Sequence, residues 1–414
     1  MTGQVGFVSV RDRITSASDK KHQFPVNYAF DYLHGGIKYL HRPQLKLNDH
    51  IQANTFLKLA AAKTLGGGQA TERSRHGIDL FPLKAGLPWP SGMLSCRQSK
   101  HWQLSLDVIE AWLKEFATSN LAGIGSESGK SIRELAQKEL SSTFADGWAR
   151  FAIYIWPDAE EERMRHLSAV TVLIFLLDDF WEMHDVSAFQ GVEETLIECM
   201  RPDRKRKVGH ESSPALIMIE RTIAEILELD ERNGNNAGRD MIERMIRFFT
   251  RPAPPPRFNS MDEFLLHRHE DAAVPFVLAC TKFSLNSSVD LDSSRLARYL
   301  RLVGNHIAVA NDLSSWEKEK KAYDCGEVLY MINIVDIVKQ LFSLSTFEAA
   351  VAVAEVLQLQ MECEIDEEIE RLVREDALTA DEWRFVDATL HTMTGNVLVS
   401  IITSRYGGAG CRLG

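Results

Sequence analysis

Paired cysteines are missing from this chain: Cys96, Cys199, Cys280, Cys325, Cys363 and Cys411 stand without CxxC or CxxxH spacing. That excludes a zinc-ligating motif and the disulfide framework of small secreted domains, and a reducing compartment, the cytoplasm, is expected. The first residues, MTGQVGFVSVRDRITSASDKK, lack the apolar core of a signal peptide. The apolar run between His166 and Asp178 is broken by Ser168 and Thr171 and falls short of the ~20 residues that cross a bilayer. No stable membrane insertion is expected. Surplus positive charge is absent as well, with 47 Lys and Arg against 58 Asp and Glu and a net charge of −11. Such a chain has no general affinity for nucleic acid or anionic membranes, so a phosphate-bearing ligand has to be met by a local cluster of cations. The glycines of Gly66–Ala70 are not followed by the Lys-Ser/Thr pair of a P-loop and read as a flexible connector. Internal repeats are absent, and strand-like alternation is scarce.

What is present is the composition of a folded globular protein, 45% hydrophobic and 25% charged. Apolar residues recur at three- and four-residue spacing in 102–116, 145–155, 216–229, 296–309 and 347–359, which predicts an all-α fold. Ser345 with Glu348 and Thr379 with Glu382 have capping-box spacing. Loops are expected at 201–214, 230–239 and 251–257, the last because its APPP run cannot continue a helix. Residues 1–95 differ in texture and are read as a partly ordered N-terminal extension that covers the site or packs beside the bundle. Residues 96–414 are read as one α-helical domain.

Two polar constellations interrupt the apolar helices. In 173–182 a continuous apolar stretch ends in Asp178, Asp179 and Glu182. Positions four apart on a helix lie about 40° from each other, so Asp178 and Glu182 share a face, where they repel unless a cation joins them. Hard divalent ions such as Mg²⁺ take oxygen ligands of this kind, commonly one or two carboxylates completed by substrate phosphates. A solvated acidic turn after a core helix is the plainer alternative, and it fits this motif taken alone. The second constellation, 311–319, puts Asn311, Ser315 and Glu319 within an arc of about 80°, offering an amide oxygen, a hydroxyl and a carboxylate to one ion. Here the plainer alternative is a polar helix face.

Together the two constellations resemble the aspartate-rich DDxx(D/E) motif and the NDxxSxxxE triad of the class I terpene synthases. Order and spacing agree, with 133 positions from Asp178 to Asn311 and 86 from Glu319 to Arg405, which with Tyr406 is similar to the family's C-terminal Arg-Tyr pair. His267-Arg-His-Glu-Asp-Ala272 is similar to its diphosphate sensor, mapping the sensing arginine to Arg268, the linker acid to Asp271 and the effector at a helix break to Ala272. The resemblance implies a single α-helical bundle binding three Mg²⁺ ions. In it Asp178 bridges two ions, Asn311, Ser315 and Glu319 hold the third, and Asp179 and Glu182 support. Arg268, Lys318, Arg405 and the Tyr406 hydroxyl form the diphosphate-binding side.

The implied reaction is ionisation of an allylic diphosphate followed by cyclisation of the carbocation in an apolar, aromatic cavity that excludes water. Phe175, one helical turn before Asp178, is the principal candidate wall, with Trp148, Phe151 and Phe276. By helical geometry Trp181 and Trp316 are expected to point away from the ligand faces. Two departures stand out: Glu182 replaces the usual final aspartate, and Met393, Gly395 and Asn396 stand where relatives often carry cavity-lining aromatics. Histidines such as His306 read as satisfied packing residues.

Absence of DxDD argues against class II cyclisation, and the single aspartate-rich motif argues against a chain-elongating prenyltransferase. The style of the motifs resembles fungal sesquiterpene synthases. That implies farnesyl diphosphate as substrate and a cyclic sesquiterpene or its alcohol as product, longiborneol-type included, with geranylgeranyl diphosphate the alternative. A monomer or homodimer is expected. A non-catalytic helical interaction protein is the alternative of another class.

Overall fold

The helical periodicity is realised almost throughout the computed structural model, which describes residues 75–407 apart from 81, 83–88, 94, 120–130, 141–143, 145–146, 184–192, 204–212 and 376–377. The elements are α1 (Trp102–Thr118), α2 (Ile132–Glu139), α3 (Phe151–Ile155), α4 (Glu161–Met183), α5 (Pro214–Asn233), α6 (Ala237–Phe249), α7 (Met261–Asp271), α8 (Val274–Ser284), α9 (Ala297–Asp324), α10 (Ile334–Leu341), α11 (Phe347–Glu375), α12 (Ala380–Ile402) and α13 (Ser404–Gly407), with short helical turns at Glu193–Ile197 and Glu198–Met200.

Buried residues occur on every side of α4, α9 and α12, the mark of helices sheathed by others. α4 packs on α1, α2 and α8, while α9 packs on α7, α11 and α12. α12 is long and apolar enough to cross a membrane by length and composition, but 94% of its most apolar window is buried inside the protein. Thr379 and Glu382 form the expected capping box on α12. At α11 the cap falls one residue later than expected, on Thr346, whose hydroxyl accepts from the Ala349 amide at 3.2 Å. The helix expected over 145–155 is shorter: a 3₁₀ turn at Trp148–Arg150 leads into α3.

Two four-residue strands depart from the all-helical pattern. β1 (Gly77–Leu80) pairs antiparallel with β2 (Cys96–Ser99), Gly77 opposite Ser99 and Leu80 opposite Cys96. The hairpin spans the boundary expected at 95. Ile78, Leu80 and Trp89 join Tyr154, Val397 and Ile401 in one cluster, Arg97 bridges Asp79 and Asp158, and the Gly92 amide donates to Glu362 on α11 at 2.7 Å. Residues 75–93 thus pack into the bundle where they are described. The rest of the expected extension, including the connector at 66–70, lies outside the described residues.

α3 approaches α12 so closely that a Cβ on Gly395 would stand 1.9 Å from the Tyr154 carbonyl oxygen, so backbone contact requires glycine there. Met393 lies in the core, and of the three departures noted in this helix only Asn396 reaches the cavity. His306 is fully buried with its Nε2 3.0 Å from Glu362, but it is satisfied only in part, since its Nδ1 has no hydrogen-bond partner. His391 is not satisfied: it is 1% exposed and neither ring nitrogen has a hydrogen-bond partner, Asp387 standing 4.0 Å from Nε2. Burial, reinforced by the positive charge of Arg97, lowers its pKa to about 4. As pH falls below the ordinary histidine value, the unfolded chain takes up this proton first. The stability this neutral side chain confers is therefore complete above about 6.5 and lost as pH falls toward 4, by up to about 3 kcal/mol. Urea denaturation of His391→Leu across that window should show a flatter pH dependence than the parent; parallel profiles would disprove this.

Candidate active site

The polar constellations of α4 and α9 open on one cavity of about 160 Å³. Its apolar floor includes Phe151, Ile155, Phe175, Phe276, Val277 and Ile307, and Asn396 is the polar exception. The Asn396 amide donates to the Ile307 carbonyl at 3.1 Å. Trp148 stands behind this wall, stacked on Phe175 at 4.8 Å, and Phe151 meets the same ring edge-on at 5.1 Å. Above the floor lie Asp178, Glu182, Asn311, Lys318, Glu319, Arg268, Asp271, Arg405 and Tyr406.

A helix break brings α7 to the cavity. Ala273 adopts φ 54°, in the left-handed region, where a non-glycine residue costs roughly 1–2 kcal/mol. Pro275 then restarts α8 within its first turn, where its missing N–H goes unmissed. The Ala272 amide still closes the last turn of α7 on the Arg268 carbonyl at 2.8 Å, so the strained residue is one position beyond Ala272, and both alanines line the cavity.

Arginines neutralise most of the acids. Arg268 donates Nε to Asp312 at 2.8 Å and Nη2 to Asn311 at 3.3 Å, and its Nη1 pairs with Asp271. Burial opposes its charge, but Asp312 and Asp271 hold it firmly as a cation. Asp271 is itself buried, yet Arg268 and Arg251 keep its carboxyl below the usual range. Arg405 grips Asp179 with both terminal nitrogens over the face of Phe175. Burial works against the Asp179 charge, but Arg405 and then Lys318 bring its pKa to about 2.

Glu182 is the reverse case: burial, with Asp178, Asp179 and Glu319 nearby, outweighs Lys318 and raises it to about 7. Asp178 also moves up, through burial. The Asn311 amide donates to the Tyr406 hydroxyl at 3.2 Å, and Glu319 accepts from Asn333 at 2.9 Å. Two expected residues stand behind the cavity wall. Asp179 turns to Arg405, and Ser315 is 1% exposed, its hydroxyl donating to the Asp312 carbonyl at 3.4 Å.

The donor set suits a hard divalent cation. It is made of carboxylate and amide oxygens, with Asp178, Glu182 and Glu319 gathered at one cavity beside Asn311. Among the described residues no three His, Cys, Asp or Glu side chains form a metal site by themselves; ions held by one or two carboxylates take their remaining oxygens from substrate and water. The cationic side suits an anion. The buried Arg405 Nε has no acceptor, and Lys318 faces the cavity.

Sequence reasoning missed several residues here. Trp181 lines the cavity rather than pointing away, because a residue three positions after Asp178 is displaced only about 60° around the helix. Trp316 does turn away, against Phe347 at 4.9 Å. Arg251, from the APPP loop, pairs with Asp178 at 2.9 Å, and Val328, Tyr330 and Ile332 of the α9–α10 connection also reach the cavity. Loop residues carry no periodic signal, so only the fold reveals these.

Residues 169–362 match the family described as terpene synthase family 2, C-terminal metal binding. Terpene cyclase 6 of Gibberella fujikuroi is 23% identical over 80% of this chain and 85% of its own length. Aristolochene synthase of Aspergillus terreus is 26% identical over 65% of this chain and 83% of its own. Among solved structures, aristolochene synthase from Penicillium roqueforti superposes with a TM-score of 0.58 at 16% identity, covering 73% of this chain and 95% of that one.

Proposed function

We propose that this chain, a class I terpene synthase by family and an all-α terpene cyclase by fold, is a magnesium-dependent sesquiterpene cyclase that ionises farnesyl diphosphate and releases diphosphate from a cyclic C15 product. One observation carries the reading: two oxygen-donor motifs and a set of cationic donors meet above an aromatic, largely apolar floor. Asp178, with Asp179 and Glu182 in support, and Asn311, Ser315 and Glu319 would hold three Mg²⁺ ions. Bound there, the ions supply Lewis-acid stabilisation of the charge that develops on the leaving diphosphate.

The chain's own residues do the rest. Arg268, Lys318, Arg405 and the Tyr406 hydroxyl orient the diphosphate and donate to its oxygens. Ala272 and Ala273 present backbone at the α7–α8 break, beside the place where charge separates. Phe151, Phe175 and Phe276 exclude water and offer ring faces to the migrating positive charge. The compact cavity supports the C15 substrate over geranylgeranyl diphosphate. A cytoplasmic location belongs to the same reading.

The test is gas chromatography with mass detection after incubation with geranyl, farnesyl and geranylgeranyl diphosphate, each with Mg²⁺ or excess chelator. A cyclic C15 product that chelator abolishes is expected. A C20 product alone would shift the assignment to a diterpene synthase. No cyclic product from any of the three, with the protein folded, would refute the reading and leave a helical binding protein.

A further inference from the structure

Arg251 is the cation at this cavity that no sequence motif contains. It lies two residues past the end of α6, its side chain 6% exposed. The guanidinium is sandwiched between Trp181 and Phe248, 3.9 Å from each ring centroid. Nη1 donates to the Phe248 carbonyl at 3.2 Å. Nη2 donates to Asp178 and Nε to Asp271, each at 2.9 Å. Two aromatic faces and three acceptors fix the fork, so one side chain joins the acidic motif of α4 to the helix break that carries Arg268.

We infer that Arg251 is a positioning residue: it is the resident counter-cation of Asp178, and it couples occupation of Asp178 by a divalent ion to the Asp271–Arg268 pair. This rests on the reading that the site takes metal and diphosphate together. Arg251 and a metal ion compete for the same carboxylate and repel each other, so Arg251 weakens metal binding while no anion is present. Diphosphate reverses the sign, since its negative charge gains from a cation nearby. Asp271 shares its charge between Arg251 and Arg268. When Asp178 turns to the ion, Arg251 keeps only Asp271 as a carboxylate partner, which loosens the hold of Asp271 on Nη1 of Arg268 and frees that one donor for the anion, while Asp312 keeps Nε and Nη2.

The opposite signs separate this role from a structural one, because a merely structural arginine would weaken both ligands when removed. The experiment titrates the full chain with Mn²⁺, followed by electron paramagnetic resonance of the free ion, and then with inorganic pyrophosphate at fixed Mn²⁺. In R251Q, Mn²⁺ alone should bind about tenfold more tightly and pyrophosphate about tenfold more weakly than in the parent. R251K keeps the charge without the two-carboxylate fork. It should hold Mn²⁺ alone within about twofold of the parent and bind pyrophosphate several-fold more weakly.

A folded R251Q that binds Mn²⁺ alone no better than the parent overturns the inference. Should R251Q fail to fold by circular dichroism, R251K decides, and equal weakening of both ligands there overturns it. A parent chain that takes up no Mn²⁺ even with pyrophosphate refutes the metal reading itself, a result distinguishable from these.

Discussion

On the function proposed above, Glu319→Gln is expected to lower turnover of the prenyl diphosphate by about 10²–10³-fold, the scale on which single charge-stabilising groups act in transition states, while leaving the fold intact. The substitution is isosteric, and the Asn333 amide that now donates to Glu319 at 2.9 Å finds an acceptor equally in glutamine. What disappears is one negative charge at the mouth of the cavity. The Mg²⁺ concentration for half-maximal rate should rise as well, whereas supporting changes such as Asp179→Asn should act on rate with less effect on metal demand. Steady-state kinetics across a Mg²⁺ series, with melting curves as the control for folding, will decide; unchanged turnover would remove Glu319 from the machinery.

The largest effect on stability is expected at Asp312, whose side chain is fully buried. Its carboxylate accepts from Arg268, at 2.7 and 2.8 Å, and from the Ile334 amide at the start of α10, at 2.8 Å. Asp312→Ala strands the amide and removes a counter-charge from a buried guanidinium, a loss of about 3–5 kcal/mol. Differential scanning calorimetry should show Tm lower by about 4–7 °C. Asp312→Asn, which preserves an acceptor for the amide, should fall between the two. A Tm within about 2 °C of the parent in Asp312→Ala would show that the pair adds nothing net.

Asp312 also shows where reading the chain stops. It stands inside the second motif, between residues whose i, i+4 and i+8 spacing was legible because helix geometry alone sets which side chains share a face. Its own partners, Arg268 and Ile334, come from other helices, and nothing local announces them. Arg251 is a stronger case, since its pairing with Asp178 spans 73 positions and starts from a loop with no period. The helices were legible wherever apolar residues repeated over three turns or more, as in α1, α5, α9 and α11. The hairpin was not: GIDL and CRQS are four-residue segments, too short for alternation to rise above chance, and the second buries a glutamine and a serine. At α11 the expected cap, Ser345, gives way to its neighbour Thr346, a one-residue shift at a helix end that spacing alone does not fix.

The hairpin bears on how this protein can be trimmed or fused to another. Glu362 has its two oxygens committed in different directions, one to His306 at 3.0 Å and the other to the Gly92 amide at 2.7 Å, and Gln358 holds the Pro90 carbonyl from the same helix. A chain started at residue 96 would strip β2 of its partner and leave a buried carboxylate answering only to a histidine. For a designer, a cut anywhere in the hairpin costs these contacts, because β1 at Gly77–Leu80 belongs to the bundle although it lies more than twenty residues before α1.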